Sequence, residues 1–133
     1  MDASVREVVK ECTEGSDAGR LTFPKVVMKL IAAGVERYHT DLRRSEKSYY
    51  MPDGESVVVP STAVKGSPPK DFSAAGVEAA VKAIQRGQIG YAEFCEKIFA
   101  AGCVGYFVSI AGRRAVYYGR TCETYVEPFP SAK

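Results

Sequence analysis

Histidine occurs once in this chain, and its four cysteines never form a CxxC pair, so neither a zinc site nor a disulfide scaffold is favoured. No apolar run approaches the ~20 residues that span a bilayer, and no charged-then-apolar leader opens the sequence. Gly-x-Gly-x-x-Gly and Walker spacings are missing, as are serine-nucleophile motifs, so no phosphate cradle is indicated. Strong charge is missing too: a net +2 with a pI near 8.3 falls short of the concentrated Lys/Arg footprint of a nucleic-acid binder. These absences lead us to expect a reduced, cytoplasmic protein with no membrane span, metal or cofactor, for which nucleic acid is a disfavoured partner.

What is present is a period. Phe99-Ala100-Ala101-Gly102-Cys103-Val104-Gly105-Tyr106 repeats Ile31-Ala32-Ala33-Gly34-Val35-Glu36-Arg37-Tyr38, and at that offset residues 19–60 lie over 87–128 without a gap. The identities include Gly19/Gly87, Gly34/Gly102, Tyr38/Tyr106, Tyr49/Tyr117, Tyr50/Tyr118, Val58/Val126 and Pro60/Pro128. Such self-similarity marks one supersecondary unit used twice. Each half alone would be marginal in size, whereas 133 residues suit one domain of two repeats, about 1–60 and 71–130, joined by the proline-containing linker 61–70.

Each unit reads as helix, helix, then a three-stranded antiparallel meander. Ser4-Val5-Arg6-Glu7 has the form of a capping box, and Val5, Val8, Val9 and Cys12 give a helix over about 5–14, with Gly15 as its stop. Thr22 and Pro24 begin a second helix whose stripe is Phe23, Val26, Val27, Leu30 and Ile31, and Gly34 ends it. Asp71 or Ser73 caps the helix of Val77, Ala80, Val81 and Ile84, which matches the first helix once about four residues are inserted. Cys12, Cys95 and Cys103 fall at apolar positions and read as small buried hydrophobes.

After each helical glycine the period becomes two. Tyr38, Thr40 and Leu42 point one way, as do Tyr106, Val108 and Ile110, and the apolar character of the copy assigns that side to the helices. Pro52-Asp53-Gly54 and Gly119-Arg120-Thr121 are turns, and residues 129–133 are expected to fray. The expected fold is α+β, an internal duplication with the helices packed on one face of the sheet.

Three groups of residues carry the chemistry there is. His39 lies on one strand face with Arg37 and Asp41, so His39 with Asp41 is a candidate acid–base pair, although alternation alone yields the same spacing. Tyr49, Tyr50, Tyr117 and Tyr118 place an aromatic on each sheet face in both halves, available for stacking on a ligand or for cross-strand packing. Arg43-Arg44 and Arg113-Arg114 occupy the first strand turn of each unit, where paired guanidinium groups can clamp an anion or simply be solvated. The expected function is a binding module for a small molecule or a protein partner, a homodimer included. A small enzyme using His39 and Asp41 is the alternative, and nucleic-acid binding comes third.

The residues also carry a family likeness. Phe94-Cys95-Glu96-Lys97 leads into Ala100-Ala101-Gly102-Cys103, followed by Gly112-Arg113-Arg114, Tyr117-Tyr118-Gly119-Arg120-Thr121 and Glu127-Pro128-Phe129-Pro130. With Thr22-Phe23-Pro24, Ala32-Ala33-Gly34-Val35 and Tyr49-Tyr50-Met51-Pro52-Asp53-Gly54, the chain resembles the YdfO-like (YbcV-like) bacterial proteins, sometimes labelled phage envelope proteins. The resemblance spans nearly the whole chain and implies a small cytoplasmic α+β protein. It brings no activity, cofactor or catalytic residue to carry over.

Overall fold

The computed structural model describes residues 1–129. Among them are four helices, α1 (Ala3–Asp17), α2 (Phe23–Ala33), α3 (Ala74–Gln85) and α4 (Tyr91–Ala100). Six strands, β1 (Arg37–Asp41), β2 (Glu46–Tyr50), β3 (Ser56–Pro60), β4 (Cys103–Ser109), β5 (Arg114–Gly119) and β6 (Thr124–Pro128), form one antiparallel sheet in the order β3-β2-β1-β4-β5-β6. The fold is α+β, and the meanders join at a β1–β4 seam.

The duplication is visible in the strand registers. Tyr38 faces Tyr49 and Tyr106 faces Tyr117; Glu46 faces Pro60 and Arg114 faces Pro128. Across the seam His39 faces Phe107, and these two occupy the same position of the repeat, so a pseudo-twofold axis passes between them. Arg37 faces Ser109 on one side of the axis and Asp41 faces Gly105 on the other.

Helix ends correct several expectations. Asp2, not the Ser4 box, caps α1 by accepting from the Val5 amide at 3.0 Å. The helix then runs through Gly15 to Asp17, because Gly15 is buried against Leu21, whose Cδ1 lies 2.5 Å from where a Cβ would stand. The chain turns instead at Gly19, φ +76°, and at its counterpart Gly87, φ +71°. Val9, Cys12 and Thr13 are buried in α1 just as Val77, Ala80 and Val81 are in α3, so the repeat continues without the four-residue insertion. Thr22 stands at the start of α2 without a side-chain cap bond, while Ser73 caps α3 by accepting from the Gly76 amide.

Ile31, assigned to the buried stripe of α2, is 55% exposed. Its counterpart Phe99 in α4 is buried and lines a cleft with residues 62–67, a segment that lies beside α4. That segment is anchored: Val64 packs on the core, and the buried Pro68 carbonyl accepts from Arg120 at 3.4 Å. Phe129, expected to fray, packs edge-on against Phe23 and donates its amide to the Arg113 carbonyl, while the rest of that tail lies outside the described residues.

The core fills the space between the helices and one sheet face. Tyr38, Tyr49, Tyr106, Val108, Ala115 and Tyr117 are buried there, with Tyr38–Tyr49 and Tyr106–Tyr117 ring centroids 5.2 and 5.1 Å apart. The helices α1 to α4 cover this side, and the opposite side is left open.

Candidate functional site on the open sheet face

Alternation sends Arg37, His39 and Asp41 to the open face, and five successive pairings align a row across it: Val58, Ser48, His39, Phe107, Val116 and Val126. Val58, Phe107 and Val126 are 53%, 43% and 46% exposed, so an apolar stripe crosses the sheet at right angles to the strands.

At its centre His39, Phe107 and Tyr118 form an aromatic cluster. The imidazole lies 4.4 Å from the Phe107 ring and 5.8 Å, nearly parallel, from the Tyr118 ring, and His39 Nε2 shares a 2.6 Å hydrogen bond with the Tyr118 hydroxyl. Tyr118 reaches across β4 because Gly105 has no side chain: a Cβ there would stand 2.6 Å from the Tyr118 hydroxyl oxygen. At the matching position of the first half stands Arg37, whose guanidinium covers the ring of Tyr50 at 4.1 Å. One repeat position thus gives a cation over a ring in one half and a tyrosine–histidine pair in the other.

Burial lowers the His39 pKa below its ordinary value, with Asp41 and Glu46 opposing, so the imidazole is neutral at pH 7. Burial likewise pushes Tyr118 up to about 12. The Asp41 carboxylate is turned to the β1–β2 turn, where Oδ1 accepts from the Arg43 and Arg44 amides at 3.0 and 2.9 Å. His39 and Asp41 share a face, then, but the histidine's hydrogen bond goes to a tyrosine. Tyr49 and Tyr117 point into the core, away from Tyr50 and Tyr118. Arg113 lies over Phe129 at 5.6 Å and Arg114 Nε donates to the Gly112 carbonyl, both exposed at the turn rather than joined to the cluster.

The residue overlooked at the sequence level is Lys47. It is 3% exposed and points into the core, where Nζ donates to the Tyr91 and Tyr106 hydroxyls at 2.7 and 3.3 Å and lies 5.3 Å from the Tyr38 ring centre. No carboxylate pairs with it among the described residues, and burial lowers its pKa to about 8. Parity held the signal, since Lys47 is two residues from the inward Tyr49. Its cross-strand neighbour Thr40 is buried with Oγ1 unbonded.

Two surface clefts lie elsewhere, about 460 Å³ between α1 and the end of α2 and about 510 Å³ beside α4. Neither is lined by His39 or Lys47. Among the described residues no group of three or more His, Cys, Asp or Glu is gathered to hold a metal, and no helix is long and apolar enough to cross a membrane. No protein-family model and no curated protein matches the chain.

Proposed function

We propose that the protein is a cytoplasmic binding module whose recognition surface is the open sheet face centred on His39, Phe107 and Tyr118. The observation that supports this reading is the continuous row from Val58 to Val126, which leaves three large apolar side chains half exposed in line on an uncovered face. Apolar surface gathered in this way favours a partner that removes it from water. The aromatic centre suits a flat or apolar group, and Arg37 beside it supplies a polar anchor. The likeness to YdfO-like proteins is part of the same reading and assigns no reaction.

The acid–base alternative draws little from this arrangement, because Asp41 is engaged by backbone amides and the His39 hydrogen bond goes to Tyr118. Nucleic-acid binding lacks a basic field, since Asp41 and Glu46 share the face with Arg37 and Arg114. A panel of metabolites and short peptides, followed by amide chemical shifts, tests the proposal. Shifts from a binder should centre on His39, Phe107 and Tyr118 and vanish in Phe107→Ala. Binding that leaves these residues unmoved would remove the open face from consideration.

A further inference from the structure

The rows flanking the apolar stripe differ in charge. On one side the outward positions include Arg37 and Arg114, with Ser56, Tyr50, Ser109 and Pro128 completing the row. On the other side they include Asp41 and Glu46, with Pro60, Gly105, Tyr118 and Thr124. Arg114 and Glu46 hold the same repeat position, so the two halves have diverged to opposite sign where the duplication began with one residue. The face is therefore a basic row, an apolar row and an acidic row in parallel.

Such a pattern complements itself. A twofold axis lying in the interface along the apolar row keeps each strand opposite its own copy and exchanges the flanking rows. Arg37 of one copy then meets Asp41 of the other, twice by symmetry, while Phe107 and the valines meet along the axis. An axis along the strands would instead set Arg37 against a basic row. Arg37 is 3.5 Å from Glu36 and half exposed, and Asp41 uses only Oδ1 in its turn, so both ends of the new pair are accessible. Glu46 is partly neutralised by Arg44 at 3.3 Å, which leaves Asp41 as the principal acidic contact.

Resting on the reading of the open face as the recognition surface, we propose that its partner is a second copy of this chain, packed sheet on sheet about that axis. Aligned sheet packing accommodates this geometry, and an interface of this kind is isologous. With strands about 4.8 Å apart and residues rising about 3.3 Å, the face measures about 24 by 17 Å, or about 800 Å² of flat surface for the pair. That area belongs to a weak, concentration-dependent dimer.

Sedimentation velocity of the intact chain over a concentration series, with circular dichroism to verify folding, tests the pairing. Arg37→Glu and Asp41→Lys should each weaken self-association by about tenfold or more, since each sets like charges together twice. Mixed in equal amounts, they should associate again, because Glu at 37 then faces Lys at 41 and the remaining Arg37 faces Asp41. If Asp41→Lys loses its turn and unfolds, Asp41→Asn takes its place, because it keeps the Oδ1 acceptor for the turn amides and removes the charge that faces Arg37. A parent chain monomeric to about 1 mM, or a mixture no tighter than either variant alone, overturns the self-pairing. A monomer whose face residues still respond to the ligand panel sinks only the second copy. A dimer whose dilution-dependent amide shifts avoid the Val58–Val126 row sinks the face as well.

Discussion

Lys47 illustrates how one side chain sets a pH dependence. Its charged form lacks a carboxylate and is disfavoured by burial, so the folded pKa of about 8 lies below the ordinary 10.5. Between these values the unfolded chain binds the extra proton, so stability rises with pH across that window, and the full penalty is present below pH 8. Lys47→Met should therefore stabilise the protein at pH 7 by on the order of 3 kcal/mol and remove the rise seen in the parent. The Tyr91 and Tyr106 hydroxyls, 2.7 Å apart, keep each other as partners. Urea titrations of both proteins at pH 7 and 9.5 measure this; a variant less stable at both would show that the lysine is held by favourable bonds outweighing its desolvation. For His39 the sign is the same. Burial holds its folded pKa below 6.5, so stability from this group is lost as pH falls below 6.5. An NMR titration should give a midpoint under 6.5, and one above it would mean that Asp41 and Glu46 outweigh burial.

Helix ends separate two glycines that the repeat makes equivalent. Gly34 and Gly102 both adopt positive φ, at +82° and +94°, which a side chain adopts only under strain. Around Gly34 a Cβ would meet only Met51 Cε at 3.7 Å, whereas at Gly102 it would stand 2.3 Å from the Asp71 carbonyl oxygen. Gly34→Ala should cost about 1 kcal/mol and Gly102→Ala about 3 kcal/mol or more, read from denaturant midpoints. Equal losses would mean that the 71–72 backbone yields freely. The need for glycine was legible from the end of each apolar stripe; the difference was not, because Asp71 arrives from another segment. Ile31 and Phe99 make the same point, being one repeat position that is exposed or buried according to what lies over it.

At the scale of the molecule, the seam holds the design together. β1 and β4 are the two central strands, so separating the halves exposes one central edge on each and leaves each with a core too small to stand alone. Residues 1–60 and 61–133 prepared separately should each lack a cooperative thermal transition, and their equimolar mixture should regain one, followed by circular dichroism. A half that melts cooperatively as a monomer would show that the seam is dispensable. The 68-residue repeat, the helical stripes, the strand parity and the glycines that follow α2 and α4 could be read from the chain alone, because the first is a match of the sequence to itself and the others depend on residues a few positions apart. Parity placed His39 on the side away from the helices, and the same alternation carried an unread signal for Lys47. The folded arrangement alone sets β1 against β4, which places His39 beside Phe107 and brings in Tyr118 from 79 residues away. It also decided that Lys47 meets Tyr91 and Tyr106 rather than an acid. Contacts of that range arise from the closing of the two halves on one another, and no local pattern encodes them.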